Sequence, residues 1–481
     1  MRDRPNLYPN ARMVRAEPQG PASRPRQARK TGSLLMTAAG WILLLSMTVS
    51  WDIFTPLEER HLEGAYGTNP LARFIKLGLL ACGVMTVARQ WAAARNLLRE
   101  LNIFFVAFLA LVPASYFWSI SAGDTLARFV SILTIVTVWV AVCIASWEPR
   151  RFQNLARPVL AFVIIGSIIY SIAAPDLAIE VGEGTLKDAW HGVMTQKNGF
   201  GQLSSFSFIL WLHGWLAREV KTWKALLFGG CSFACLLFSR SSTSLLASMF
   251  VLIFLLMLMR APTGLRRMIP FLIAAFAGLV LTYALAVLKL VPGLEILLEP
   301  ITAFTGKDMT FSNRSLIWDI IKEHIQYAPY LGSGYGAYWI GPVMSSPSYS
   351  FLQRMYFYPN ESHNGYLEIV NDLGFVGLIV MFGYFIVYLR QALRLLRFDR
   401  NQSALYLALF FQQAIINLSE SCWLNVNSGV SFTVMTFATI ALARSALDQR
   451  AGGVPIPAAA PSAFSLRPGV RARTLAQARR P

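Results

Sequence analysis

Twelve separate apolar runs, each close to the roughly 20 residues that carry an α-helix across a bilayer, dominate this chain. They fall near 33–51, 71–88, 101–118, 127–146, 158–174, 199–216, 223–238, 243–259, 269–291, 366–389, 403–419 and 428–445. In lipid each backbone N–H and C=O must be satisfied internally, so runs of this length are expected to fold as helices. Apolar residues make up 55% of the 481 and charged residues only 14%, with mean hydropathy +0.48, a balance that excludes one soluble core. The expected fold class is an all-α polytopic membrane protein of about twelve transmembrane helices. Gly and Ser inside several runs suit close helix packing.

The net charge of +18 invites a nucleic-acid reading, but the placement of the cations excludes it. Alternate connections are basic: Arg2 to Lys30, Arg89 to Arg99, Arg150 to Arg157, Arg218 to Lys224, Arg260 to Arg267, Arg390 to Arg400, and the tail from Arg444. The intervening connections hold Asp52, Glu58, Glu59, Glu63, Asp124, Asp176, Glu180 and Glu183. This is the positive-inside bias, which places both termini in the cytoplasm and makes the number of spans even. The expected organisation is a basic disordered tail over 1–32, helices 1–9 over 33–291, a long outward loop over 292–362, helices 10–12 over 363–445, and a disordered tail over 446–481. The first run is read as an uncleaved span because no small-residue cleavage site follows it. The five cysteines lie mostly inside runs, as small apolar residues, and imply neither a disulfide framework nor a metal site.

The outward side carries the unusual residues. In the long loop, "SNRSLIWDIIKEHIQY" starts with a cap candidate, Ser312 or Asn313, and repeats Leu316, Ile317, Ile320, Ile321 and Ile325 at helical spacing. That predicts an amphipathic helix lying on the outer surface or covering the spans. The following "LGSGYGAYW" fails the dinucleotide and P-loop spacings and is read as a turn or a close backbone approach. Trp318 and Trp339 are read equally as interfacial anchors or sugar platforms, and His324 as solvated. Arg240 sits at an outward hairpin tip; Lys197, Asn198 and Arg128 sit where outward loops meet spans; Arg314 heads the amphipathic helix. Four cations on a face that otherwise avoids them point to an anionic ligand, and guanidinium forks match phosphate oxygens. At the mouth of the tenth run, "YPNESHNGYLEIVNDLG" presents His363, Asn364, Glu368, Asn371 and Asp372. His363 suits proton transfer from an attacking hydroxyl. Asn364, Glu368 and Asn371 share one helix face, where they would orient the histidine's neighbours or bind sugar hydroxyls.

These segments resemble the O-antigen ligase and exopolysaccharide polymerase superfamily. "SHNGYLEIVNDLGFVGL" is similar to its His-Asn, Leu, Gly-x-x-Gly-Leu signature. "GKDMTFSNRSLIW" resembles the exopolysaccharide-polymerase branch, matching at Gly306, Asp308, Thr310, Arg314 and Trp318. It departs at Lys307, where that branch favours Arg, and at Asn313, where it favours Gly. "QKNGFGQ" and "SRSSTSLLA" are similar to its Lys-Asn and Arg-Ser elements, and the whole resemblance covers 190–380. It implies a glycosyltransferase at the periplasmic face of a bacterial inner membrane, acting on polyprenyl-diphosphate-linked oligosaccharide. His363 and Arg240 would be catalytic; Lys197, Asn198, Arg314, Arg128, Lys307, Asp308, Asn364 and Glu368 would bind substrate. No metal and no cofactor are expected, and no nucleic-acid partner. Membrane lipid and other polysaccharide export proteins are the remaining partners. Polymerase is favoured over two alternatives: a ligase moving finished glycan to lipid A core, and a lipid-linked oligosaccharide flippase or transporter. The last expects ionisable groups near the bilayer midplane, whereas here they crowd one rim.

Overall fold

The computed structural model describes residues 24–50, 53, 70–148, 150–180, 187–260, 268–287, 293, 296 and 314–450. Lys307, Asp308 and the cap candidates Ser312 and Asn313 lie outside the described residues, as does most of both tails. The described residues are helical apart from loops and turns, with one isolated bridge, Ile179 to Trp190.

The helices are α1 (Arg24–Thr48), α2 (Pro70–Arg89), α3 (Trp91–Glu100), α4 (Ile103–Ala114), α5 (Ala122–Ala145), α6 (Arg151–Ala173) and α7 (Lys197–Leu216). They continue with α8 (Thr222–Phe238), α9 (Ser242–Arg260), α10 (Ile269–Val287), α11 (Arg314–Ile325), α12 (Gly365–Leu395), α13 (Arg400–Ile416) and α14 (Val430–Arg450). Every expected run is thus represented by a helix. By length and apolarity α2, α5, α6, α9, α12 and α14 suffice to cross a membrane, and the bent pair α3–α4 would make a seventh. The count of twelve spans and their direction rest on the sequence. α1 starts at Arg24, inside the tail expected to be disordered.

The α3–α4 pair turns through 106°. Its cause is local: Asn102 caps α4 by accepting hydrogen bonds from Phe104 N and Phe105 N, while its own amide donates to Tyr384 O at 2.9 Å. α3 is an amphipathic helix that buries only Ala94 and Leu97. Run 101–118 therefore begins at a corner.

Helices divide into a rim and a centre. In α2 only 17% of the apolar window is buried by protein, whereas in α14 it is 78%. The exposed apolar surface of α2 suits lipid, and α14 sits in the core, with Phe437 stacked on Trp139 of α5 at 4.0 Å. Central helices carry the polar residues and pair them. Gln412 donates to Ser205 at 2.8 Å, Ser205 bonds Ser248 at 2.6 Å, and Ser431 donates to Gln202 at 2.9 Å. These contacts tie α7, α9, α13 and α14 together where no water is at hand.

α12 is two helices joined at Gly374, whose φ of 63° only glycine adopts readily. The "LGSGYGAYW" loop fills the break. Ser333 N and Gly334 N donate to the freed Asn371 and Asp372 carbonyls, both at 3.0 Å, and Phe375 N and Val376 N donate to Pro329 and Tyr330 carbonyls. A Cβ at Gly374 would stand 2.2 Å from the Tyr330 carbonyl carbon, and one at Gly332 would stand 2.5 Å from that of Asp372. The glycines serve close backbone approach, as their spacing suggested.

α11 covers this loop. Its stripe of Ile317, Trp318, Ile320 and Ile321 packs on Tyr338, Trp339, Phe351 and Leu367. Trp318 takes the place expected for Leu316, which is exposed. Both tryptophans are buried, which removes them as interfacial anchors or open sugar platforms: Trp318 donates to Ser362 O at 3.0 Å and Trp339 to Glu368 at 2.9 Å. His324, expected in solvent, is half-buried instead, bonded to Ser333 Oγ and packed on Tyr338.

Candidate functional site

The site forms where four connections meet at one end of the bundle. Loop 361–364, which precedes α12, is fixed from both sides. Ser362 N donates to Glu368 Oε2 at 2.9 Å, Ser362 Oγ bonds Ser421 Oγ at 2.9 Å, and Gly365 N donates to Asn417 O at 3.0 Å. Asn364 is the N-cap of α12, its Oδ1 accepting from Tyr366 N and Leu367 N, which fits a residue type that satisfies orphan amides. Loop 417–425 is folded around Asn417, whose Oδ1 accepts from Cys422 N and Trp423 N. A Cβ at Gly365 would stand 1.9 Å from that same oxygen. The two loops are therefore one unit.

That unit presents His363 beside Glu420. His363 has φ +50, a left-handed conformation that few non-glycine residues hold. Its Nδ1 stands 3.1 Å from Glu361 Oε1 and 3.5 Å from Glu420 Oε2. Glu420 Oε1 accepts from Arg314 Nη2 and from Asn198 Nδ2, each at 2.9 Å. Arg314 also donates through Nη1 to Ser419 O, and Ser419 Oγ donates to Thr243 at the start of α9. Lys197, on the first turn of α7, lies within electrostatic reach of Glu180, Arg240, Arg314 and Glu420. Arg240 sits at the α8–α9 hairpin with φ +50 and pairs with Asp188 at 3.7 Å. Its side chain is 49% exposed, so this pair is held loosely and the guanidinium is accessible.

The structure thus gathers His363, Arg314, Asn198, Lys197 and Arg240 from segments far apart in sequence. Glu420 joins them, unmarked by the sequence reading. Arg128, Asn364 and Glu368 lie apart from this opening. Arg128 is buried, wrapped by the glycine loop (a Cβ at Gly336 would stand 1.9 Å from its Nη1), and has Asp372 as its carboxylate neighbour. Asp372 also accepts from Gly336 N at 2.7 Å. Both oxygens of Glu368 are engaged by Ser362 and Trp339. Asn364 and Glu368 brace the loop that carries the histidine, whereas Arg128 braces the glycine loop. His191, beside the Lys-Asn element, is buried with Nδ1 against Met194 O.

The electrostatics follow from this geometry. Burial alone would lower the His363 pKa, but Glu361 and then Glu420 outweigh it and raise it to about 9. Burial would raise the Glu420 carboxyl, but Arg314 and then His363 hold it below the usual range. Glu361, His363 and Glu420 are also the described residues that could hold a metal ion, with ligand atoms within 4.8 Å of one another. One oxygen of Glu420 already takes two donors, and Arg314 and Lys197 stand beside it. A dication would have to displace these cations, so the donor set suits an ion-pair network better.

A family model described as O-Antigen ligase matches residues 225–382, which include Arg240, Arg314 and His363. The chain is 27% identical over 335 residues to the exopolysaccharide production protein ExoQ of Rhizobium meliloti (strain 1021), covering 66% of this chain and 72% of that protein. Together with the helices of the described residues and the order of its motifs, these matches make the chain similar to the O-antigen ligase and exopolysaccharide polymerase superfamily.

Proposed function

We propose that this protein polymerises exopolysaccharide repeat units at the periplasmic face of a bacterial inner membrane. It joins a glycan carried on polyprenyl diphosphate to a sugar hydroxyl of the next lipid-linked unit. The observation that carries this reading is the convergence of Arg240, Arg314, Lys197 and Asn198 around the Glu420–His363 pair, with the Arg240 guanidinium half-exposed. Family and relative support glycosyl transfer of the ligase or polymerase type.

In this scheme the acceptor hydroxyl attacks the anomeric carbon of the donor sugar. The bond to the phosphate oxygen breaks, and polyprenyl diphosphate departs with the bonding electrons. The cations offset the charge gathering on the leaving group, a role in which fixed donors commonly contribute about 10²–10³-fold in rate. His363 takes the hydroxyl proton on Nε2, because Nδ1 is turned to Glu361 and Glu420. A carboxylate on one ring nitrogen fixes the tautomer and leaves the other as the base. No divalent ion enters the scheme.

Vesicles containing only this protein and one polyprenyl-diphosphate repeat unit should yield a ladder of products still attached to polyprenyl diphosphate, in the presence of excess chelator. A repeat unit that stays unchanged until a separate acceptor is added, and is then transferred once, would identify a ligase instead.

A further inference from the structure

We propose that Glu420 is the resting counter-anion of the donor pocket, a carboxylate that occupies the place of the diphosphate and yields Arg314 to it when the lipid-linked donor binds. The inference rests on the glycosyl-transfer reading above and adds a residue that neither the motifs nor the family match includes, since the matched segment ends at 382.

The geometry makes the case. Arg314, Asn198 and His363 come from α11, α7 and the loop before α12, and what they share is Glu420. Its two oxygens divide the work: Oε1 accepts from Arg314 Nη2 and from the Asn198 amide, and Oε2 faces the imidazole. Among the described residues, the side-chain carboxylate closest to Arg314 is this one, at 2.9 Å. An arginine so paired is not free to bind phosphate, and its fork suits carboxylate and phosphate oxygens alike. Arriving diphosphate must therefore compete with Glu420 or draw Arg314 away from it. Glu361 is the internal comparison, because among the described residues of this network it pairs with His363 and not with Arg314 or Asn198. It holds the ring and leaves the cations alone.

The two roles give different signs in a binding experiment. Full-length protein in nanodiscs is titrated with farnesyl diphosphate as the probe, without added metal. Glu420→Gln keeps an oxygen for Arg314 and Asn198 but removes the competing charge, and should bind the probe about tenfold tighter than wild type. Its KM for lipid-linked donor should fall while kcat also falls, since Arg314 and His363 lose their shared anchor. Glu361→Gln should change probe affinity by less than about twofold. If Glu420→Gln does not accumulate in the membrane, Glu420→Asp, with its charge drawn back by one methylene, should also tighten binding, though less. Unchanged or weaker binding in a folded Glu420 variant would overturn the proposal. So would probe binding that requires a divalent metal and is lost in both Glu variants, which would make Glu361, His363 and Glu420 metal ligands. Should Arg314→Ala and Arg240→Ala both bind the probe as wild type does, the donor-pocket reading itself fails, whatever Glu420 does.

Discussion

Two glutamate-centred knots stand at different connections of this bundle, and they are built from the same side-chain types. One is the Glu420 knot with Arg314 and His363. The other gathers Glu219, Arg150, Arg157 and His213 at connections that the charge pattern assigns to the cytoplasm. There Arg157 reaches Glu219 Oε2 at 2.7 Å and donates through Nε to Leu210 O, while Arg150 stands 3.3 Å from Oε1. His213 donates from Nε2 to Asn401 O at 2.8 Å and faces Arg157 with Nδ1. Both of its ring nitrogens are thus directed at protein, and it is fully buried.

The difference lies in what is left over. In the knot at Glu219, Arg157, Glu219 and His213 end on one another or on backbone carbonyls, which ties α6, α7 and α13, and Arg150 at its edge reaches solvent. In the knot at Glu420, His363 turns one nitrogen to carboxylates, its side chain is 19% exposed, and it sits on strained backbone. Arg240 beside it is half in solvent. Buried Glu–Arg–His clusters are therefore not sites in themselves. A site shows as geometry that the fold would not otherwise hold, together with groups that point outward.

The most severe test of the contrast is His363→Ala against His213→Ala. The first should reduce transfer by about 10²–10⁴-fold with the protein still in the membrane, as expected for loss of a general base. The second should lower yield or melting temperature and leave transfer per folded molecule near wild type. Equal catalytic loss in both, measured on purified folded protein, would erase the distinction.

Arg240→Ala should cost about 10²-fold in kcat, comparable to removing one fixed donor at a developing charge. Arg240→Lys should recover part of it, since the charge returns without the fork. Full activity in Arg240→Ala would leave the hairpin arginine as a mere rim charge.

An effect of about the same size, spread over about two pH units, is expected from pH. His363 is held charged by Glu361 and Glu420, with Arg314 and Lys197 behind Glu420, so at pH 7 the protonated ring dominates. As a base it must first lose that proton. The rate should therefore climb about tenfold per unit from pH 7 and level near 9, and Glu361→Gln should move the plateau to lower pH. A rate that falls across the same range would mean that the imidazolium itself serves as a cation for the diphosphate. The stability linkage runs the other way. A raised histidine pKa contributes fully below its unfolded value of about 6.5 and is lost as pH passes about 9, so thermal stability should decline over that interval.

Least affected, per folded molecule, should be Glu219→Ala. Breaking a buried pair leaves Arg157 uncompensated and should cost about 3–5 kcal/mol of stability. Unfolding should shift while kcat stays within about twofold of wild type.

Much of this was legible in the sequence, for physical reasons that can be traced. Apolar run length fixes helices strongly, so α2, α5 and α9 lie where the runs do. Cations on the side that avoids them marked Lys197, Arg240 and Arg314, which the fold does bring together. The same signal also marked Arg128, whose neighbour Asp372 is supplied by a helix break that no local pattern reveals. Glu420 was invisible because its partners stand 106 and 222 positions away in the chain. A lone carboxylate in a short loop has no register to betray it. The α3–α4 corner was missed because Asn102 acts there as a cap, and a single polar residue does not interrupt hydropathy.

The break at Gly374 has a mechanical consequence. The carbonyls freed before it, on Asn371 and Asp372, and the amides freed after it, on Phe375 and Val376, are all taken up by residues 329–334, so one loop is bonded both to the nine residues of helix behind His363 and to the longer segment of α12 that follows. The helix behind the histidine thus meets the rest of α12 at a glycine joint that the loop splints from both sides. A displacement of that loop would act on both segments at once, and through the first of them on the imidazole.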